Sequence, residues 1–143
     1  GTINSEGQPN VTYAPFLKHE NENYMYISEI GDHYDNLKNN GKLEVSFLED
    51  ESKANAITVR GRVRYASDFE FLPRDEKFEK VMDVFEANAG NTMTVMRKMT
   101  DFHLVKLNFL DGRFVKGFGQ AYTISTKGKI APMTGDKVTH KPG

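Results

Sequence analysis

Phe102-His103-Leu104-Val105-Lys106-Leu107-Asn108-Phe109-Leu110, then Asp111-Gly112, then Arg113 to Ile124: this stretch decides the fold class. His103 shares an alternating face with Val105, Leu107 and Phe109, the two-residue period of a strand with one side toward a core. His103 is therefore expected to be half-buried with its hydrogen bonds satisfied. Asp-Gly between two β-rich runs predicts a tight hairpin. Lys116-Gly117-Phe118-Gly119 suits a strand that bends sharply or admits close backbone approach.

Working outward, Val11–Leu17, Tyr24–Ile27, Leu43–Leu48 and Ala56–Tyr65 read as further strands. Pro15 keeps its part of the first of these away from a sheet centre. Asp32 to Lys38 predicts a short helix with Asp32 as N-cap, ended by Asn39-Asn40-Gly41. One longer helix starts after Pro73 with an acidic first turn and closes at Gly90. Phe78, Val81, Met82 and Phe85 form its single buried stripe. A short helix over Thr92 to Lys98 follows. About six strands with few helices predict a mainly β chain, a small antiparallel barrel with helices packed at one end.

The chain has 143 residues, one domain's worth, with 38% hydrophobic and 11% aromatic content. That apolar share excludes a disordered protein. Nineteen basic against twenty acidic residues leave a net charge of -1, so no general basic excess points to nucleic acid or an anionic membrane. No cysteine is present, which removes thiolate catalysis, Cys-ligated zinc, iron–sulfur clusters and disulfides, and fits a reducing cytoplasm. No apolar run approaches the ~18 residues of a membrane span. The start, Gly1-Thr2-Ile3, has no signal-peptide pattern, and the true beginning is expected to have been trimmed or left out. From Ser125 onward the sequence is rich in Lys, Gly and Pro without periodicity. The expected division is a domain over 1–124 and a tail over 125–143.

Arg60, Arg62 and Arg64 alternate along one strand, so their guanidiniums share a sheet face. Two readings stand: a solvated face paired with Glu44 or Glu49, or a planar fork on an anionic ligand. His33 opens a short helix at a position compatible with ligand contact or with plain surface. His140 lies in the tail, where an imidazole is either inert or folds over a site as an axial ligand. Asp101 is either a turn carboxylate or the orienting partner of a ligating imidazole. No Ser–His–Asp order, P-loop, HExxH or paired metal-ligand spacing occurs.

Ser28-Glu29-Ile30-Gly31-Asp32-His33-Tyr34-Asp35-Asn36-Leu37, Phe47-Leu48-Glu49-Asp50-Glu51, Arg60-Gly61-Arg62, Asp101-Phe102 and Gly112-Arg113-Phe114-Val115-Lys116-Gly117-Phe118-Gly119-Gln120-Ala121-Tyr122 occur in that order. Together they resemble the HugZ/HutZ group of bacterial haem-utilisation proteins, within the pyridoxamine-phosphate-oxidase-like, FMN-binding split-barrel superfamily. The resemblance runs from about Gly1 to Ile124. It implies a six-stranded antiparallel split barrel of Greek-key type, assembled as a homodimer with haem between the subunits. It implies a cytoplasmic enzyme that opens the macrocycle oxidatively to release iron, using oxygen and an external electron donor, with neither nucleic acid nor membrane as partner. By the same resemblance His140 is the iron ligand, on a tail that closes over the site. Asp101 is its hydrogen-bonding partner, and Arg60, Arg62, His33 and Ser28 belong to the haem pocket.

Two alternatives accompany it. One is an FMN-dependent oxidoreductase of the parent type; aligning Gly61 with that group's phosphate motif puts Asn55, Thr58 and His33 where three cations would stand. Each lost charged contact costs roughly 1.5–3 kcal/mol, which weakens this alternative. The other is a non-enzymatic haem carrier or storage module.

Overall fold

Phe78, Val81, Met82 and Phe85, the four residues of the predicted stripe, are each at most 2% exposed. A computed structural model describes residues 1–49, 61–116 and 120–133, and places this stripe on helix α2, Glu76–Ala89. Asp75 caps the helix by accepting from the Phe78 N–H, and Gly90, at φ 77°, ends it. Burying each such side chain contributes about 1.5–3 kcal/mol, so the stripe rather than helix propensity holds α2 in place.

The chain divides into two compact units, residues 1–43 with 68–108, and residues 44–67 with 109–143. The first unit opens with a small pair, β1 (Thr2–Ile3) against β2 (Pro9–Asn10). β3 (Phe16–His19) then pairs antiparallel with β4 (Glu22–Ser28). Their two-residue turn, Glu20-Asn21, has both φ angles positive, at 50° and 62°, the turn geometry that matches strand twist. β4 pairs in turn with the first half of β7 (Phe102–Lys116), from Asn23↔Leu107 to Ser28↔Phe102. Tyr24, Tyr26 and Leu104 from this sheet meet α2, and Met93 of α3 (Asn91–Met96) completes the core. α1 (Asp32–Asn39) joins β4 to β5 (Leu43–Leu48). β6 (Arg62–Phe71) enters the first unit at Asp68, and just past its end Leu72 N–H donates to the Leu104 carbonyl at 2.9 Å.

Glu22, at the start of β4, gathers the Tyr24 hydroxyl and the ammonium groups of Lys77 and Lys106, each lysine at 3.1 Å. The Tyr24 hydrogen bond and then the two lysines hold its pKa down at about 2, from an ordinary 4.5. The folded state thus resists protonation where the unfolded chain accepts it. This contribution to stability is complete above pH 4.5 and fades as the pH falls toward 2. Glu22→Gln should therefore be less stable than the parent at neutral pH, with the gap closing toward pH 2; urea midpoints measured across that range check it.

The second unit is built from β5, the first part of β6, the second half of β7, β8 (Gln120–Ile124) and β9 (Ile130–Pro132). β8 pairs antiparallel with β7, from Gly112↔Ile124 to Lys116↔Gln120, and β9 pairs with β8. Tyr65 stacks on Phe109 at 4.5 Å with ring planes 3° apart, and Phe47 meets the same ring edge-on. Arg64 binds Glu44 at 2.6 Å, as in one of the two readings of that strand face; half-exposed, the pair adds little stability.

Four local expectations change. Asp111-Gly112 is no hairpin turn, because β7 runs straight through it. A Cβ on Gly112 would lie 2.5 Å from the Arg64 carbonyl and 2.8 Å from the Tyr65 ring, so glycine is there for close approach. The strand expected over Val11–Leu17 is confined to Phe16 onward, since Pro15 has no N–H to offer a ladder. Gly31, not Asp32, is the N-cap of α1, and Asp32 belongs to its first turn. A strand, β9, lies beyond Ile124, where no periodicity announced one. Gly117-Phe118-Gly119 and residues 56–60 of the strand expected over Ala56–Tyr65 lie outside the described residues, and the rest of that strand from Arg62 onward is the start of β6. No helix among the described residues is long and apolar enough to cross a membrane.

Candidate functional site

Ser28 ends β4 and His33 lies in the first turn of α1, so the five-residue spacing between them brackets one tight bend. Ser28 Oγ accepts from the Ile30 N–H at 3.1 Å, and the Ser28 carbonyl accepts from the Gly31 N–H at 3.2 Å. Both side chains open into one groove of about 360 Å³ in the first unit. Strands β4 and β7 supply Tyr26, Ile27 and Phe102; the segment after β2 supplies Tyr13 and Pro15. Ile30 and Gly31 come from the bend, and Met96 comes from α3. Among the described residues, no charged side chain lines it.

The groove is an apolar slot with one imidazole. His33 Nδ1 lies 2.7 Å from Thr12 Oγ1, and a Cβ on Gly31 would come within 2.6 Å of His33 Nε2. The ring thus rests over a bare glycine, tied at its other nitrogen. Burial holds its pKa below the ordinary 6.5, with nearby Asp32 opposing, so it is neutral at pH 7. Tyr26 donates to the Met96 carbonyl at 3.0 Å and stacks on Phe102, its pKa pushed up by burial.

Asp101 stands immediately before Phe102, and its carbonyl accepts from the Glu29 N–H at 2.8 Å. Ser28, His33 and Asp101 thus gather around the same bend. Arg62 belongs to the second unit, exposed on β6. Arg60 and His140 lie outside the described residues. His103, as expected, is half-buried and satisfied: Nε2 is 2.7 Å from Glu29 Oε1, and its ring packs on Tyr34 and Phe71. Among the described residues no three His, Asp or Glu side chains converge as a metal site.

Sequence reasoning missed Tyr13, Met96 and Phe102 as groove residues. Val11, Tyr13 and Ile30 are 91%, 89% and 86% exposed, which no periodicity reveals.

This apolar groove, set beside the bend of a split barrel, is found in a chain whose residues 1–116 match the family model for pyridoxamine 5'-phosphate oxidase. The chain belongs to that family, and its mainly β fold is the family's split barrel. Within it, the chain is 34% identical over 125 residues to heme oxygenase HutZ of Vibrio cholerae serotype O1, covering 87% of this chain and 71% of that one. The crystal structure of Campylobacter jejuni ChuZ matches with a TM-score of 0.81 and 47% identity over 89% of this chain. This chain spans 53% of the ChuZ chain. The structure of V. cholerae HutZ, there called a heme storage protein, matches with a TM-score of 0.66 and 29% identity, covering 74% of this chain and 75% of that one.

Proposed function

We propose that this chain binds haem in a crevice shared by two copies and degrades it oxidatively to release iron. The observation that carries the reading is the aromatic-lined groove that His33 enters, lined by no charged side chain among the described residues, in a chain this similar to a protein named heme oxygenase. A flat macrocycle suits such a slot, whose volume is in the range of small-molecule sites. Tyr13, Tyr26, Ile27 and Phe102 are the side chains here that would lie against it. Haem, when bound, supplies the redox chemistry toward oxygen, with electrons from an external donor.

The chain's own residues then have three tasks. His140 holds the metal from the tail over 125–143, and Asp101 orients that imidazole. Arg60 and Arg62 meet the carboxylates of the ligand. Ser28 and His33 contact it from the bend, His33 as a neutral ring whose direction is set by Thr12. Val11, Tyr13 and Ile30 are covered by the second copy, which makes the homodimer part of the site.

Adding hemin to the purified protein should produce a Soret band, which ascorbate in air then bleaches with release of iron. Replacing His140 by Ala should shift that band. A flat titration at micromolar protein would sink the proposal. A Soret band that survives reductant and oxygen selects haem storage, the reading favoured by the second description of HutZ. Protein that purifies yellow and releases flavin on denaturation selects FMN.

A further inference from the structure

We infer that Arg74 is the positioning residue of the groove, a role that rests on the groove being the ligand site. Arg74 precedes α2, and its guanidinium donates to three backbone carbonyls: Arg97 at 3.0 Å, Phe102 at 3.0 Å, and Met99. It also lies 3.4 Å from the Tyr26 hydroxyl, and its face rests on the Phe78 ring at 4.7 Å. All three carbonyls belong to the segment that leaves α3 and enters β7. That segment runs between two groove residues, Met96 at one end and Phe102 at the other.

A helix end needs its last carbonyls satisfied, and one donor to the Arg97 carbonyl would serve that need. Arg74 does more, reaching past the helix end to the first residue of β7. It also adjoins Tyr26, which itself donates to Met96 and stacks on Phe102. One planar cation therefore sets the spacing between Met96, Phe102 and Tyr26. Only a guanidinium has enough donors in one plane for this; an ammonium with three flexible donors on a single point does not. Arg97 offers a contrast within the same segment. Its ion pairs with Glu79, Asp83 and Glu86 fasten α3 to α2, and among the described residues its side chain makes no hydrogen bond to a groove residue.

The test compares Arg74→Lys with Ile124→Ala, a core truncation on β8 of the second unit, outside the cluster against which Met96 and Phe102 pack. Hemin should bind Arg74→Lys roughly tenfold more weakly than the parent, the cost of about one misplaced charged hydrogen bond. Ile124→Ala should lose Tm and keep the parent's affinity. Without hemin, the Met96 methyl NMR signal, assigned with Met96→Leu, should move in Arg74→Lys and stay in place in Ile124→Ala. Arg74→Ala should exceed Arg74→Lys in both effects. An unmoved Met96 signal, or parental affinity in Arg74→Lys, overturns the inference. If the parent itself binds no hemin, the proposed function falls and the Met96 signal alone decides the role of Arg74.

Discussion

Gly112→Ala should unfold at clearly lower urea than the parent, with a loss of about 2–3 kcal/mol, and Gly112→Val should lose more. The reason is the close approach of β6 to its neighbour β7 within the second unit. A methyl at position 112 would sit 2.5 Å from the Arg64 carbonyl, a backbone atom that cannot swing aside as a side chain would. It would also press on the Tyr65 ring at 2.8 Å, which is itself locked face to face on Phe109. Gly41 is the control. It has ordinary φ, and a methyl added there would meet nothing within 4 Å, so Gly41→Ala should stay within about 0.5 kcal/mol of the parent. Equal midpoints for the two variants would show that the close approach carries no energy.

Asn36→Leu should cost about 2–3 kcal/mol and loosen the first fifteen residues. Asn36 is 6% exposed, and its amide nitrogen donates to Thr2 Oγ1 and to Asn10 Oδ1, both at 2.9 Å. Leucine suits a helix at least as well, so the loss is not one of helix propensity. It comes from two acceptors left without a donor, one of them on Thr2, itself only 4% exposed. Asn10 ends β2, and the next five residues carry Tyr13 and Pro15 to the groove and Thr12 to the His33 ring. Limited proteolysis should therefore cut Asn36→Leu early within residues 5–15, and its hemin affinity should fall along with its stability. The exposed neighbour Asn39→Leu should do neither. Unchanged cleavage in Asn36→Leu would mean that the N-terminal pair is held by its other contacts.

How much of this was legible in the sequence depended on how local each cause is. The stripe of α2 was readable because a period of 3.6 is a property of the helix alone, and its four residues are those that are buried. Asp111-Gly112 misled because the turn signal is equally local, whereas the reason for that glycine, the Tyr65 ring and the Arg64 carbonyl, comes from a strand almost fifty residues earlier. β9 went unseen because three exposed residues carry no pattern. Of the groove residues, Ser28 and His33 had been named as pocket residues only through the resemblance of their segment to the haem-utilisation group. Asn36 of the same segment had no stated task until its partners Thr2 and Asn10 were placed beside it. Tyr13, Met96 and Phe102 gave no warning, since an apolar residue facing a groove looks in sequence like one facing a core. Arg74 read only as the residue before an acidic helical turn.

Strand β7 carries one last consequence. Its fifteen residues answer to β4 at one end and to β8 at the other, with no loop between to absorb a mismatch. Inserting or deleting one residue near Asn108 would turn every later side chain of the strand to its opposite face. The two pairing schedules written into this one strand have to be inherited together.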